Sequence, residues 1–223
     1  MGQATPFVLL DDARAEGAAD ALLYENPAGV FVAHRAEEVG PVLREAEAAL
    51  ETKGGQLVGY IAYEAGLSLE PKLAALADAR VGAAGPLVWL GLFGPAERIA
   101  ADAVATWLAA RTTDQASLGP LDPQLSPGGY ASAFATLLEA IHAGDIYQAN
   151  LTYPLAGSYR GDPVALYRQL RGGANAGYGG LLFDGSHWLL SLSPEMFVAL
   201  DQDEAKAKPM KGTRPRSTDP VQD

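Results

Sequence analysis

The basic stretch KAKPMKGTRPR, at residues 206–216, holds the side chains of this chain that are best suited to chemistry. It places Lys206, Lys208, Lys211, Arg214 and Arg216 within eleven positions, although the formal net charge of the 223 residues is -11. Proteins that bind nucleic acid need an extended positive surface, and so acidic a chain does not provide one. The stretch is therefore predicted to be a local basic patch that binds a small anion.

A carboxylate is predicted to meet one of these lysines in a hairpin. If the hairpin turn is centred on Asp203, Glu195 lies directly opposite Lys211, with Cβ atoms roughly 5 Å apart on the same face. Ser193 and Thr213 flank this pair. A surface ion pair, which contributes about 0–1 kcal/mol, is the simpler interpretation of the spacing alone. A slip of one residue would place the two groups on opposite faces.

Two further stretches carry polar side chains in patterns that suit binding. GDIYQANLT is predicted to be a strand with Gln148, Asn150 and Thr152 on one face. A ligand-binding face and an exposed face of a sheet explain this pattern equally well. In LRGGANAGYGG, Asn175 and Tyr178 lie among five glycines, which allow close approach to a ligand but also make turns. The sequence contains no phosphate-binding loop, dinucleotide fingerprint or zinc-ligand spacing. The three histidines are interpreted as structural.

The elements that must position these residues are predicted as short strands mixed with helices over residues 1–100. PFVLL, GVFVAH, QLVGYIAYEAG and GPLVWLGLFG have the composition of strands. A helix over 37–55 ends at two glycines, and an Ala-rich helix occupies 101–111. The apolar face of the 37–55 helix consists of Val39, Val42, Leu43, Ala46 and Leu50.

A turn-rich stretch near residue 120 is predicted to divide the chain into regions 1–120 and 121–223. In the second region Ser126 caps a helix that ends at Gly144, and 145–155 is predicted to be a strand. A helix then ends at Gly172, and two hairpins follow. The predicted fold class is α+β, with antiparallel hairpins dominating the second region.

The composition excludes several classes of protein. The hydrophobic fraction of 48% and charged fraction of 19% are those of a globular protein. No stretch reaches the roughly 18–20 apolar residues of a membrane span, and no signal peptide is recognised. Cysteine is absent, which excludes disulfides and thiolate metal sites. These features predict a cytoplasmic protein that binds neither nucleic acid nor membrane.

Three motifs together resemble the chorismate-utilising enzymes, and within that family the component I branch that makes aminodeoxychorismate. The motifs are IHAGDIYQANLT, LSLSPEMF and PMKGTRPR, and they match the family in order, kind and spacing. The resemblance implies an antiparallel β-sheet sandwich with helices packed outside. PFVLLDDAR and GYIAYEAGLSLEP resemble the N-terminal region of the family more weakly.

The resemblance also implies roles for individual residues. Lys211 would be the nucleophile that attacks C2 of chorismate, and Glu195 would be the general acid for the departing 4-hydroxyl. Ammonia would then add at C4, displace the lysine and give 4-amino-4-deoxychorismate. Gln148 stands where isochorismate and salicylate synthases have a water-activating lysine, so ammonia is the expected incoming group. The expected substrate-binding residues are Gln148, Ser193, Gly212, Thr213 and Arg214.

Two stretches correspond to the amino-acid effector motifs of the tryptophan-making relatives and depart from them. The first is Leu9-Leu10-Asp11-Asp12, and the second is Asn175-Ala176-Gly177-Tyr178, which lacks the prolines of the family pattern. The effector-pocket residues that the resemblance implies are therefore Asp11, Asp12, Asn175 and Tyr178.

The family extends some 200 residues past the lysine motif, so we expect this chain to be an inactive part of a longer enzyme. Mg²⁺ is the expected cofactor, with its ligands in the missing part and none in this chain. The expected partners are a glutaminase subunit that supplies ammonia and a fused or separate aminodeoxychorismate lyase. The alternatives are another chorismate-utilising synthase, such as an anthranilate synthase, and a non-catalytic binding module.

Overall fold

The computed structural model describes residues 5–77, 85–112 and 115–209. They fall into two compact units. The first unit contains the residues up to Arg111 and those from Tyr167 onward, and the second contains Thr112–Leu166. The predicted division of the chain near residue 120 stays a prediction.

The elements follow one another along the chain in a mixed order of strands and helices. In chain order they are β1 (Phe7–Asp11), β2 (Ala21–Glu25), β3 (Gly29–Ala33), α1 (Ala36–Lys53), β4 (Gln56–Ile61), α2 (Ala65–Leu69), α3 (Ala74–Ala77), β5 (Val88–Phe93), β6 (Glu97–Ile99), α4 (Val104–Arg111), β7 (Ala116–Pro123), α5 (Pro127–Ala143), β8 (Leu155–Gly161), α6 (Pro163–Ala174), β9 (Tyr178–Phe183), β10 (Trp188–Ser193), β11 (Met196–Asp201) and β12 (Glu204–Lys208).

Two larger antiparallel sheets form the body of the first unit, which also contains the two-stranded sheet of β11 and β12. The larger sheet has the strand order β10-β9-β1-β2-β6, and the smaller one has the order β3-β5-β4. Trp89 and Phe93 of β5 form one buried cluster with Val8, Tyr24 and Leu182 of the larger sheet. Residues two apart on a strand face the same side, so these side chains join the inner faces of the two sheets.

Helices cover the outer faces of both sheets. Val39 of α1 is buried with Ala33 and Val88 of the smaller sheet. Tyr167 of α6 is fully buried and reaches β1, where its hydroxyl donates a hydrogen bond to Asp11. The prediction of an α+β fold with antiparallel sheets and helices outside is therefore confirmed.

The predicted helix boundaries depend on local signals, and several are confirmed. Helix α1 ends at Gly54, whose φ of 68° favours glycine. The side chain of Ser126 accepts a hydrogen bond from the backbone N–H of Gly129 at 3.1 Å, and α5 ends at Gly144 with φ 81°. In contrast, α6 continues through Gly172 to Ala174.

The predicted strand over 145–155 is wrong. Residues 145–154 are irregular, and β8 begins only at Leu155. Its partner is β7, in the turn-rich stretch where no strand was predicted. A strand requires a neighbour that completes its backbone hydrogen bonds, and 145–154 pair with no strand in the part of the chain that the structure describes. Alternation of polar and apolar side chains was therefore insufficient to define the strand.

Replacing Ser126 by Ala is expected to destabilise α5 by about 0.5–2 kcal/mol, because the N–H of Gly129 loses its acceptor. The measurement is hydrogen exchange of the first-turn amides of α5, together with the free energy of unfolding in denaturant. Ser132→Ala, an exposed position inside the same helix, is the matched control, since Ala has the higher helix propensity there. An equal loss of protection in both variants would contradict the capping role.

Candidate functional site

Four of the predicted chorismate-site residues lie outside the described residues. These are Lys211, Gly212, Thr213 and Arg214. Their roles stay predictions, and the separation of Lys211 from Glu195 is not part of the described geometry.

Glu195 lies in the short connection between β10 and β11 and is exposed. Ser193 organises this connection, because its hydroxyl accepts a hydrogen bond from the N–H of Glu195 at 3.1 Å and lies 3.0 Å from the carbonyl oxygen of the same residue. Gln148 belongs to the second unit, where it is exposed in the irregular segment between α5 and β8. The local structure thus leaves the side chains of both Glu195 and Gln148 accessible.

The predicted register of the last hairpin is wrong. A turn centred on Asp203 would pair Asp201 with Ala205, whereas Asp201 pairs with Glu204. The turn therefore contains two residues, and Gln202 adopts a φ of 51°, as such short hairpin turns require. A second shift occurs between Met196 and Ala199, where the ladder is irregular. The register of the described residues of β11 and β12 therefore does not support the predicted pairing of Glu195 with Lys211.

The four effector-motif residues come together around one cavity of about 900 Å³ in the first unit. Asp11 ends β1 and Asp12 follows it, while Asn175 follows α6 and Tyr178 begins β9. Apolar side chains form much of the remaining wall, among them Val8, Leu10, Leu22, Leu182 and Leu189. Residues that lie more than 150 positions apart in the sequence thus line one cavity that is large enough to hold a small molecule.

Asp11 is the buried anchor of this site. Its side chain is 0% exposed and accepts hydrogen bonds from Arg171 Nε at 2.6 Å and Nη2 at 3.0 Å. The hydroxyl of Tyr167 donates a third hydrogen bond, at 2.9 Å. Burial, and then the Asp11 carboxylate, raise the pKa of Tyr167, so its hydroxyl keeps its proton. Two side chains of α6 therefore hold β1 through one carboxylate.

Asp12 is paired with a different arginine. Arg14 Nε donates to its two oxygens at 2.9 and 3.2 Å, and the N–H of Ala19 donates at 2.9 Å. The hydrogen bond from Arg14 holds the pKa of Asp12 well below its usual range, although burial acts in the opposite direction. Asp11 and Asp12 are thus each neutralised by a guanidinium group.

Asn175 shapes the chain at the cavity. It follows α6 with a φ of 47°, a left-handed conformation that Asn tolerates better than most residues. Its side-chain oxygen accepts a hydrogen bond from the N–H of Ala15 at 2.9 Å. Tyr178 is the first residue of β9 and pairs with Ser193 of β10.

Sequence reasoning missed Tyr167 and Arg171 as members of this site. Their spacing of four residues on α6 places them on one helix face, and this was the available signal. It became informative only once β1 was known to lie beside that face.

Within the described ranges, no group of three or more His, Cys, Asp or Glu residues could hold a metal ion. No helix in those ranges is both long and apolar enough to cross a membrane.

Replacing Asp12 by Asn is expected to lower the free energy of unfolding at pH 7 by about 1.5–3 kcal/mol, because the charged hydrogen bonds to Arg14 are lost. The folded state lowers the pKa of Asp12, so the advantage of the wild type is complete above the ordinary aspartate range and shrinks as the pH falls below about 4. Denaturant titrations between pH 7 and pH 3 measure this difference. Asp102→Asn, at an exposed position, is the control, and a difference that stays constant down to pH 3 would contradict the ion pair.

Comparison with known proteins identifies the family. The model of the family described as chorismate binding enzyme matches residues 5–223. The aminodeoxychorismate synthase component 1 of Klebsiella aerogenes is 36% identical over 121 residues, which cover 52% of this chain and 27% of that relative. The protein of the same name from Escherichia coli (strain K12) is 37% identical over 94 residues, 42% of this chain and 21% of the relative.

An enzyme of the neighbouring branch is also similar. The anthranilate synthase component 1 of Thermus thermophilus is 38% identical over 94 residues, which cover 42% of this chain and 20% of the relative. The matched part of this chain therefore spans between a fifth and just over a quarter of these relatives. The family match extends over both compact units, and it confirms the resemblance found in the three motifs: the chain belongs to the family of chorismate-binding enzymes.

Proposed function

We propose that this chain is part of an aminodeoxychorismate synthase component that converts chorismate and ammonia to 4-amino-4-deoxychorismate. The observation that carries the proposal is the family match over residues 5–223, together with relatives named aminodeoxychorismate synthase component 1. The anthranilate synthase relative supports the alternative product, anthranilate. Lys211 favours the 4-amino product, since the resemblance implies that anthranilate synthases have a small residue at this position, whereas Gln148 favours ammonia over water as the incoming group.

The proposed chemistry begins with the amine of Lys211. The neutral amine forms a bond to C2 of chorismate while the bond from C4 to its hydroxyl breaks, and Glu195 protonates the leaving oxygen to give water. Ammonia then forms a bond to C4, and the Lys211 amine leaves C2. The net reaction exchanges the 4-hydroxyl for an amino group. The exposed position of Glu195, held by the turn at Ser193, is compatible with access to a substrate.

A nucleophilic lysine must lose its proton, which neighbouring cations favour by lowering the pKa of the amine. Lys206 and Lys208 of β12, which precede Lys211 in the sequence, are exposed and contribute positive charge. The ion pair between Lys206 and Glu204, at 2.9 Å, offsets part of that charge. Arg214 is proposed to bind the substrate carboxylates, as the resemblance implies.

We also propose Mg²⁺ as a cofactor and two partner proteins, and we assign no residue of this chain to binding them. The described residues provide no cluster of ligands that fits a metal ion, so no step is assigned to Mg²⁺ here. The words "component 1" in the names of the relatives support a second component, for which we propose a glutaminase that supplies ammonia. An aminodeoxychorismate lyase that consumes the product is proposed as a further partner.

The activity is tested with the full-length protein that contains this chain, supplied with chorismate, Mg²⁺ and an ammonium salt. Chromatography of the products is expected to show aminodeoxychorismate for the wild type and a loss of at least about a hundredfold for Lys211→Ala, because the covalent step is removed. Lys53→Ala, at an exposed lysine of α1 to which no role in the reaction is assigned, is the control and is expected to change the rate by less than about threefold.

Three outcomes would redirect the proposal. Unchanged aminodeoxychorismate from Lys211→Ala would exclude the lysine as nucleophile. Anthranilate as the wild-type product would favour the neighbouring branch. No product from a folded wild type would favour a non-catalytic binding module.

A second proposal concerns the cavity, which we assign to an amino-acid effector. The observation that favours it is the convergence of Asp11, Asp12, Asn175 and Tyr178 on one cavity with an apolar wall. Asp11 and Asp12 are each already paired with an arginine. We therefore expect them to set the shape and the charge of the pocket, and we do not expect either carboxylate by itself to bind the ammonium group of an amino acid.

The effector proposal is tested by calorimetric titration with tryptophan as the probe. Tyr178→Phe is expected to weaken binding about five- to tenfold if its hydroxyl contacts the probe. Tyr63→Phe, at a tyrosine that is 92% exposed, is the matched control. Absence of heat at millimolar tryptophan would exclude this effector, and equal affinity for wild type and Tyr178→Phe would exclude the tyrosine contact.

A further inference from the structure

A hydrogen bond joins the two sheets of the first unit at one end of the core. The hydroxyl of Tyr60, on β4 of the smaller sheet, donates to Asp184 Oδ2 at 3.0 Å. Asp184 follows β9 of the larger sheet directly. In the part of the chain that the structure describes, this is the one side-chain hydrogen bond between the two sheets. The remaining inner contacts are apolar and therefore not directional.

The turn after β9 fixes the Asp184 carboxylate. Oδ1 accepts hydrogen bonds from the N–H groups of Ser186 at 2.7 Å and His187 at 2.6 Å. The side chain of Asp184 is only 2% exposed, and the Nδ1 of His187 lies 3.2 Å from Oδ2. Burial raises the pKa of Asp184, but the hydrogen bonds outweigh this effect and lower it, so the group is ionised at neutral pH. A buried charged acceptor is thus held in place for the hydroxyl of Tyr60.

Tyr60 is also part of the cavity wall. Its ring stacks on Trp89, with a centroid distance of 6.5 Å and an interplanar angle of 14°. Tyr60 lines the cavity from the smaller sheet, while Leu182 and Leu189 of the β9–β10 hairpin line it from the larger sheet. Among the described strands, β4 and β10 each have one neighbouring strand and lie at an edge of their sheet. The hydrogen bond therefore connects an edge strand of one sheet to the turn that leads into an edge strand of the other.

We propose that the hydrogen bond from Tyr60 to Asp184 is a latch that holds the β9–β10 hairpin against β4 and controls opening of the cavity between them. When the hydrogen bond is formed, the Asp184 carboxylate accepts the hydroxyl of Tyr60, and β4 and β10 stay at a fixed separation. When it breaks, the β10 side of the hairpin can bend away from β4 while β9 stays paired with β1. The opening exposes the apolar wall at Leu189, whereas Leu182 stays in the core cluster.

The test uses hydrogen exchange of the backbone amides of the β9–β10 hairpin. Tyr60→Phe removes the hydroxyl and keeps the ring, and it is expected to increase exchange in the hairpin about tenfold, with little change in α1. The dye 8-anilino-1-naphthalenesulfonate reports the exposed apolar wall, and its fluorescence is expected to rise in the same variant. Tyr63→Phe, at the exposed tyrosine close by on the chain, is the matched control.

A double-variant comparison separates the latch from the turn. Asp184→Ala removes the latch and also loosens the turn at Ser186 and His187. In that background Tyr60→Phe is expected to change exchange by less than about twofold, since the partner of the hydroxyl is already absent. An equal effect of Tyr60→Phe in both backgrounds, or unchanged exchange in the single variant, overturns the latch. Faster exchange without additional dye fluorescence overturns its control of the cavity.

Discussion

The inner contact between Trp89 and Phe93 on one side and Val8, Tyr24 and Leu182 on the other holds the two antiparallel sheets of the first unit together. Burial of aromatic and aliphatic side chains supplies most of the stabilisation available to such a sandwich, at about 25 cal/mol per Å² of apolar surface. Because this contact is not directional, it determines that the sheets meet but not how their edges are aligned. Of the polar interactions at the rim of the core, the hydrogen bond from Tyr60 to Asp184 joins the two sheets, whereas those of Asp11 and Asp12 hold β1 to α6 and to the segment that follows β1.

These polar interactions share one physical feature, which is a buried carboxylate with more than one donor. Asp11 binds Arg171 and Tyr167, Asp12 binds Arg14 and the N–H of Ala19, and Asp184 binds the turn after β9 and Tyr60. An unpaired buried carboxylate would be strongly destabilising, whereas a paired one fixes the geometry of its donors. The cavity thus lies between groups whose positions are well defined, although most of its wall is apolar.

The family assignment and the local polar geometry depend on different residues. The motifs that carry the resemblance lie around Gln148, Glu195 and Lys211, whereas the best defined polar geometry lies around Asp11, Asp12 and Asp184. The first set is relevant to the reaction proposed for chorismate, and the second to the scaffold and to ligand control. A hairpin that carries Lys206 and Lys208 next to an accessible Glu195 is consistent with an anionic substrate.

The sequence by itself determined the features that depend on neighbours along the chain. Helix α1 ends where Gly54 provides a left-handed residue, and α5 begins where Ser126 caps it, since both signals act within one helical turn. The α+β class and the family followed from local patterns and motifs in the same way. Tertiary structure decided the features that depend on distant partners. Residues 116–123 became a strand and 145–154 did not, because strand formation requires a paired neighbour.

The same reason explains the last hairpin and the site at the cavity. A two-residue turn and an irregular ladder set the register of β11 and β12, and the alternation of side chains in the sequence does not specify either. Asp11 was recognisable as a site residue, but its donors Tyr167 and Arg171 lie 156 and 160 positions away. Only the packing of α6 against β1 brings them together, because no local signal in the sequence connects residues that lie so far apart along the chain.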